Sequence, residues 1–181
     1  MTFASVIAGG ERDFDFLFGE WIVQGRRRRS APGADGDAWE TIEAVQKCWP
    51  LLHGLGNVGE LVSDAGEPLY ACLRFFDQKS GLWTIYSVSL IEGIRQPPVR
   101  GGFAAGTGEF RGEDTVDGRP IVLRDRWTGT ESQRPRWERA LSTDGGRSFE
   151  PCWIMEHERV FWPVEAGPVP EWLPAPARAG A

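Results

Sequence analysis

The chain has 181 residues and a formal net charge of −6 at pH 7, with a pI near 5.0. This length fits one domain, or one domain with a tail. The acidic balance argues against a nucleic-acid partner, because phosphate binding needs a basic surface. No apolar run reaches the roughly 18 residues of a membrane span, and the N-terminus lacks the basic segment of a signal peptide. We therefore expect a cytoplasmic protein without membrane contact.

Short runs of alternating polarity, separated by turn residues, follow one another along most of the chain. Residues 1–10 predict a flexible lead, and Glu11–Phe18 predicts one or two helical turns. About ten strands are then predicted, over residues 21–28, 38–49, 57–63, 69–76, 82–91, 99–103, 107–115, 119–128, 135–142 and 148–160. Residues 163–181 carry repeated prolines, which predict an extended tail.

The links between the predicted strands are mostly of hairpin length, and they indicate the architecture. Asp117-Gly118 is a strong two-residue hairpin signal. No helical pattern separates the strands, which argues against parallel βαβ units. These features favour an all-β fold, a closed antiparallel up-and-down barrel of about 8–10 strands, whose interior can hold one small ligand. The predicted organisation is a lead (1–10), a barrel domain (11–162) and a Pro-rich tail (163–181).

Two motifs resemble functional signatures but favour structural interpretations. Gly54-Leu-Gly56-Asn-Val-Gly59 matches G-x-G-x-x-G, yet Gly66 and Pro68 follow too soon for the helix that a dinucleotide site requires. This segment predicts a glycine-rich loop or a bulged strand. Ser142–Phe149 looks like the Asp-box of propeller proteins, but a single copy cannot build a propeller. It predicts a hairpin held by side-chain hydrogen bonds.

Residues suited to metals or cofactors are few. Cys48, Cys72 and Cys152 are widely spaced and form no C-x-x-C pair, so neither a zinc site nor a disulfide framework is predicted. We interpret them as buried small side chains. Two histidines cannot form a multi-histidine metal site, and no cofactor is predicted. The alternative is haem with His157 as axial ligand, since a Trp and a Met share its strand face.

Charged residues interleave with tryptophan on both faces of several predicted strands. Leu123, Asp125 and Trp127, for example, share one face, opposite Arg124 and Arg126. Such mixing favours a partly polar interior in which Arg/Glu pairs satisfy one another. The alternative is an apolar core with ion pairs outside, because alternation does not reveal which face points inward.

From these strands we predict a small-molecule site with polar anchors and aromatic walls, suited to an apolar or aromatic ligand with an anionic group. The predicted ligand-binding residues are Arg74, Tyr86, Arg126, Trp127, Trp137, Glu138, Trp153 and Glu156. The alternative is an isomerase, cyclase or lyase on the same barrel, with acid–base candidates Glu43, Glu138, Glu156 and His157. A third hypothesis is a scaffold that assembles, for instance as a homodimer, through its tail and its Arg26–Arg29 edge.

The helical lead into Gly-x-Trp at Phe14–Trp21 resembles the calycin superfamily, which includes lipocalins and nitrobindin-type barrels. The order of further short pieces is similar to an uncharacterised group of bacterial lipocalin-like proteins over roughly residues 11–160. These pieces are Pro50–Asn57, Leu73–Asp77, Trp83–Tyr86, Asp114–Gly118, Arg126-Trp127, Trp137-Glu138, Ser142–Gly146 and Trp153–Glu156. The resemblance implies a closed barrel with a central cavity and no agreed activity. Nitrobindin-type barrels bind haem through a late histidine, and His157 has a similar place in this sequence.

Overall fold

A computed structural model describes residues 8–28, 38–90, 93–95, 97–116 and 118–160. The described chain is built from eleven strands and two 3-10 turns, Asp15–Leu17 and Leu52–Gly54. The strands are β1 (Gly19–Arg28), β2 (Trp39–Leu51), β3 (Gly56–Ser63), β4 (Pro68–Asp77), β5 (Leu82–Ser89), β6 (Gly93–Ile94), β7 (Val99–Ala104), β8 (Thr107–Val116), β9 (Arg119–Thr128), β10 (Arg136–Ser142) and β11 (Glu150–Arg159). The predicted tail, most of the predicted lead and Arg29 lie outside the described residues.

Ten of these strands form a closed antiparallel barrel, which confirms the predicted fold class. Strands β1 to β5 pair in chain order, β5 pairs with β7, and β7 to β11 again pair in order until β11 meets β1. Strand β6 adds two residues beside β5 and was not predicted. A two-residue strand is too short to show the alternation on which the sequence prediction rests.

Two hairpins show the turn chemistry that the sequence predicts. Gly118 closes the β8–β9 hairpin with φ of +74°, a left-handed conformation that glycine adopts without steric cost. Asp144 holds the β10–β11 hairpin by accepting hydrogen bonds from the Ser142 and Ser148 hydroxyls at 2.7 and 2.6 Å and from the Arg147 amide at 3.0 Å. These donors, the Ser142 hydroxyl foremost, hold the pKa of Asp144 well below its ordinary value. The Asp-box is therefore a structural brace here.

The first 3-10 turn and its flanking residues close one end of the barrel. The buried Phe14 ring makes edge contacts with Trp83 and Phe103, both with centroids 4.9 Å away. Trp21 Nε1 donates a 2.8 Å hydrogen bond to the Leu17 carbonyl. The helical lead and the Gly-x-Trp motif thus act together as an apolar plug, which leaves the opposite end of the barrel for a cavity.

Tryptophan builds much of the buried core. Two of the nine tryptophans, Trp39 and Trp49, lie on the outer face of β2. Those in the core are Trp21, Trp83, Trp127, Trp137 and Trp153. Most of the tryptophan excess in the described chain therefore serves packing, since each indole buries a large apolar surface.

Candidate functional site

An open cavity of about 930 Å³ occupies the end of the barrel opposite the N-terminal plug. Ends of nine barrel strands line it, because the mouth lies where β1, β3, β5, β8 and β10 end and β2, β4, β9 and β11 begin. Its aliphatic walls come from Ile42, Leu69, Val116, Ile121, Leu123 and Leu141. The cavity is therefore a funnel of mixed polarity with one open side, in which charged residues such as Arg28, Glu43 and Arg95 accompany the aliphatic walls.

A buried ion pair forms the floor of this cavity. Strand register places Arg139 opposite Asp125, and Arg139 Nε and Nη2 each donate a 2.7 Å hydrogen bond to a separate carboxylate oxygen. The two side chains are only 7% and 3% exposed. Burial opposes the charge of Arg139, but the Asp125 carboxylate offsets this effect and raises the Arg139 pKa. The floor therefore carries two fixed charges that sum to zero.

Two aromatic donors beside this ion pair have no protein acceptor. The Tyr70 hydroxyl and Trp153 Nε1 are both buried, and neither has a hydrogen-bond partner within 3.5 Å in the described ranges. The Ser87 side chain lies beside the Tyr70 hydroxyl and partly offsets the effect of burial on its pKa. The Tyr70 and Trp153 rings meet edge to face at 5.3 Å, and both residues line the cavity. Burial raises the pKa of Tyr70, so its hydroxyl stays protonated and able to donate. Buried polar atoms normally have partners, so this corner of the floor suits a ligand with an acceptor atom.

A second, much smaller cavity of about 20 Å³ lies deeper in the barrel. Gln46, Tyr70 and Arg74 provide its polar wall, and Trp127 and Trp137 contribute to its apolar wall. Tyr70 borders both cavities. From the mouth inward, the barrel interior therefore consists of the large cavity, the neutral ion pair and the small cavity.

His157 is packed below the small cavity. Its Nδ1 lies 3.3 Å from the Pro135 carbonyl oxygen and its Nε2 lies 3.2 Å from Gln46 Oε1. The ring contacts Trp127 at 5.1 Å, and burial lowers the His157 pKa to about 4. Both nitrogens are engaged with protein atoms, and His157 does not line the large cavity. The residues around this histidine therefore do not fit an axial haem ligand.

The residues predicted to bind ligand fall on both faces of the barrel wall. Among them, only Trp153 lines the large cavity, whereas Arg74, Trp127 and Trp137 line the small one. The four on the outer face are Tyr86, Arg126, Glu138 and Glu156. The barrel wall therefore separates the four predicted residues that point inward from the four that point outward.

The four acid–base candidates lie in separate places. Glu43 is an exposed residue at the rim of the large cavity. Glu138 pairs outside the barrel with Arg124 and Arg136, and Glu156 is exposed. The fourth, the histidine described above, is deep in the core. No two of these groups converge on one point within the described chain.

The sequence prediction missed Arg139 and Tyr70, which line the large cavity, and Asp125, which lines the small one. The expected partly polar interior is nevertheless present. The available signal was an apolar neighbour on the same strand face, Trp127 beside Asp125 and Trp137 beside Arg139. The buried pair is Arg–Asp rather than the predicted Arg–Glu, and Arg124–Glu138 lies outside the barrel.

The three cysteines are free. Burial raises the pKa of Cys48, and it raises that of Cys152 to about 11, so both stay as unreactive thiols at neutral pH. Among residues 8–160, apart from the stated gaps, no three His, Cys, Asp or Glu side chains are grouped to hold a metal. In the same described ranges, no helix is both long and apolar enough to cross a membrane.

Comparison with protein-family models finds no match, and comparison with curated proteins finds no similar sequence. The closed ten-strand barrel is compatible with a calycin-like fold. Function must therefore be inferred from the cavity.

Proposed function

We propose that this protein binds a small molecule with an apolar or aromatic body in the open end of its barrel. The observation that carries the proposal is the cavity of about 930 Å³, which falls within the roughly 300–1,000 Å³ of small-molecule sites. Aliphatic walls leading to a few convergent polar groups are the usual composition of such sites.

The polar end of the ligand is proposed to reach the cavity floor. There the Tyr70 hydroxyl and Trp153 Nε1 are donors with no acceptor within 3.5 Å among the described residues. A carbonyl or hydroxyl oxygen on the ligand satisfies them, while its apolar body replaces water along the walls. The predicted anionic group would lie beside Arg139. Because Asp125 already balances that charge, the floor favours an acceptor oxygen over a full negative charge.

A fluorescent probe and a plugged cavity test this proposal. Neutral phenylnaphthylamine is titrated into the wild type, into Val116→Trp, which places an indole in the cavity, and into Thr115→Trp. Val116 lines the cavity, whereas Thr115 is its exposed neighbour on the same strand. We expect saturable binding to the wild type and Thr115→Trp, and a loss of at least about tenfold in affinity for Val116→Trp. Equal affinity in all three proteins would show that the cavity is not the binding site.

A charged analogue tests the anionic group. Anilinonaphthalene sulfonate has a similar aromatic body with one negative charge. Tighter binding of the sulfonate than of the neutral probe, weakened by Arg139→Met in combination with Asp125→Ala, supports an anionic ligand. Tighter binding of the neutral probe assigns the floor to an uncharged acceptor.

Native mass spectrometry of the purified protein tests for a natural ligand. We expect an added mass that denaturation releases. The same measurement on Val116→Trp should show the protein mass alone.

A further inference from the structure

An apolar patch lies on the outer face of strands β2 to β5, at the plugged end of the barrel. Four outward side chains form one row across these strands, because the register places each beside the next: Trp49, Val58, Leu73 and Tyr86. The Phe75 ring extends this row over Gly56, where a Cβ would come within 2.7 Å of the ring. These five side chains, Trp49, Val58, Leu73, Phe75 and Tyr86, form the outer patch.

The outer patch does not contribute to the core of the barrel. None of its five side chains belongs to the buried cluster or packs against it, and Trp49 is 40% exposed. The outward positions of β8, β9 and β10 are mostly charged by comparison, with Glu109, Arg111, Arg124, Arg126, Arg136 and Glu138. A row of adjacent apolar side chains on a surface is unfavourable in water and is typical of an interaction site.

The chain leaves the barrel close to this patch. Strand β11 ends at Arg159, and the Val160 amide donates a 3.0 Å hydrogen bond to the Glu20 carbonyl at the plugged end. Glu20 lies opposite Lys47 in the β1–β2 register, and Trp49 is the next outward residue along β2. Val160 is therefore two strand spacings and one outward step, about 12 Å, from the near edge of the patch.

The residues that follow Val160 suit this surface. They include the large apolar side chains Phe161, Trp162, Val164, Val169, Trp172 and Leu173, and the prolines Pro163, Pro168, Pro170, Pro174 and Pro176. Repeated prolines favour an extended helix that rises about 3.1 Å per residue, so residues 161–173 can span about 40 Å. The five strand spacings from β11 to Tyr86 amount to about 24 Å. Surfaces that bind such proline-rich segments are commonly lined by aromatic side chains, as the outer patch is.

We propose that residues 163–176 dock on the outer patch of their own barrel, with Trp172 and Leu173 among the side chains that cover it. A second copy of the chain is the rival occupant. The footprint of the patch, about 20 Å across the strands and about 10 Å along them, is on the order of 200 Å², whereas a stable dimer buries about 800 Å² on each partner. A segment of the same chain needs less area, because it loses little translational freedom on binding.

A photo-crosslinker at position 49 tests this docking in the full-length protein. The variant Trp49→benzoylphenylalanine is irradiated and then digested with trypsin, which cuts after Arg159 and Arg178. We expect mass spectrometry to find peptide 160–178 joined to the peptide that contains position 49. Irradiation of a mixture of ¹⁴N-labelled and ¹⁵N-labelled protein should give no mixed-isotope product, because both peptides come from one chain.

The variant Arg126→benzoylphenylalanine is a matched control. Arg126 is exposed on the outer face of β9, and β9 lies two strands from β11 on the other side, as β2 does on this side. A segment that does not dock would reach both positions equally. The crosslink to peptide 160–178 should therefore form at least about tenfold more at position 49 than at position 126.

A variant of the segment itself tests which side chains cover the patch. Trp172→Ala combined with Leu173→Ala removes apolar area and should lower the crosslink at position 49 by at least about fivefold. Ala177→Ser should leave it unchanged. Equal yields at positions 49 and 126, a mixed-isotope product, or a yield that survives the loss of Trp172 and Leu173 would each overturn the proposal. The large cavity lies at the other end of the barrel, so none of these outcomes depends on its ligand.

Discussion

Replacing Asp125 with alanine tests how the barrel holds its buried charges. The carboxylate accepts two hydrogen bonds of 2.7 Å from Arg139, and the side chains are 3% and 7% exposed. After the replacement, Arg139 keeps only a 3.4 Å hydrogen bond to Ser87. Breaking a buried ion pair by removing one partner costs about 3–5 kcal/mol. That is a large share of the roughly 5–15 kcal/mol that stabilises a folded domain.

Urea and thermal unfolding at pH 7, followed by tryptophan fluorescence, measure this loss. We expect the free energy of unfolding of Asp125→Ala to fall by about 3–5 kcal/mol and the thermal midpoint by about 6–20 °C. Adding Arg139→Met removes the unpaired charge, so the double variant should recover most of the lost stability.

The exposed ion pair of Arg134 and Glu158 provides a matched control. Its atoms are 3.1 Å apart, but the side chains are 75% and 62% exposed. Solvent screens such a pair, so Glu158→Ala should cost about 0–1 kcal/mol. A loss below about 1 kcal/mol for Asp125→Ala, or a double variant no more stable than Asp125→Ala alone, would refute this account of the floor.

Three further predictions follow from buried or strained groups. His157 has a pKa of about 6.5 in the unfolded chain and about 4 in the folded chain. The free energy of unfolding therefore decreases as the pH is lowered from about 6.5 to 4. Urea unfolding should show the wild type losing about 2 kcal/mol more than His157→Gln between about pH 7.5 and 5, and parallel losses would contradict the assignment. Gly59→Ala puts a Cβ 3.0 Å from Arg74 Nη1 and should destabilise the fold by about 1–3 kcal/mol in the same assay, whereas an unchanged urea midpoint would show that the guanidinium can move aside. Asp144→Ala should speed hydrogen exchange of the Ser148 amide while leaving the barrel strands protected, and unchanged exchange would mean that the hairpin holds without its brace.

Strand positions were largely predictable because they depend on local patterns. Strand β9, Arg119–Thr128, matches its predicted range at both ends, and most other strands differ by one or two residues. Strand β6 was not predicted, since it depends on its contact with β5. The G-x-G-x-x-G segment also has a non-local role. Its last two glycines make room for side chains of the neighbouring strand, Gly56 for Phe75 and Gly59 for Arg74.

The candidate site was only half predictable, because alternation separates two faces without saying which is inside. Arg74 and Trp153 point inward, but Arg126 and Glu138, chosen by the same reasoning, point outward. Apolar neighbours on the same face would have favoured Arg139 instead. Which carboxylate pairs with this arginine depends on the strand register. A shift of the register by one residue would move every side chain of the strand to the other face.

The sequence by itself determined an all-β chain of hairpins, because alternation and turn residues act over a few neighbouring positions. It also determined that tryptophan and arginine share these strands. Only the tertiary structure decided that Trp153 is cavity wall while Trp21 is core, that Arg139 has a carboxylate partner, and that Arg74 has none among the described residues. The physical reason is closure of the barrel. Pairing across ten strands brings together side chains distant in sequence, and the space left between them becomes the two cavities.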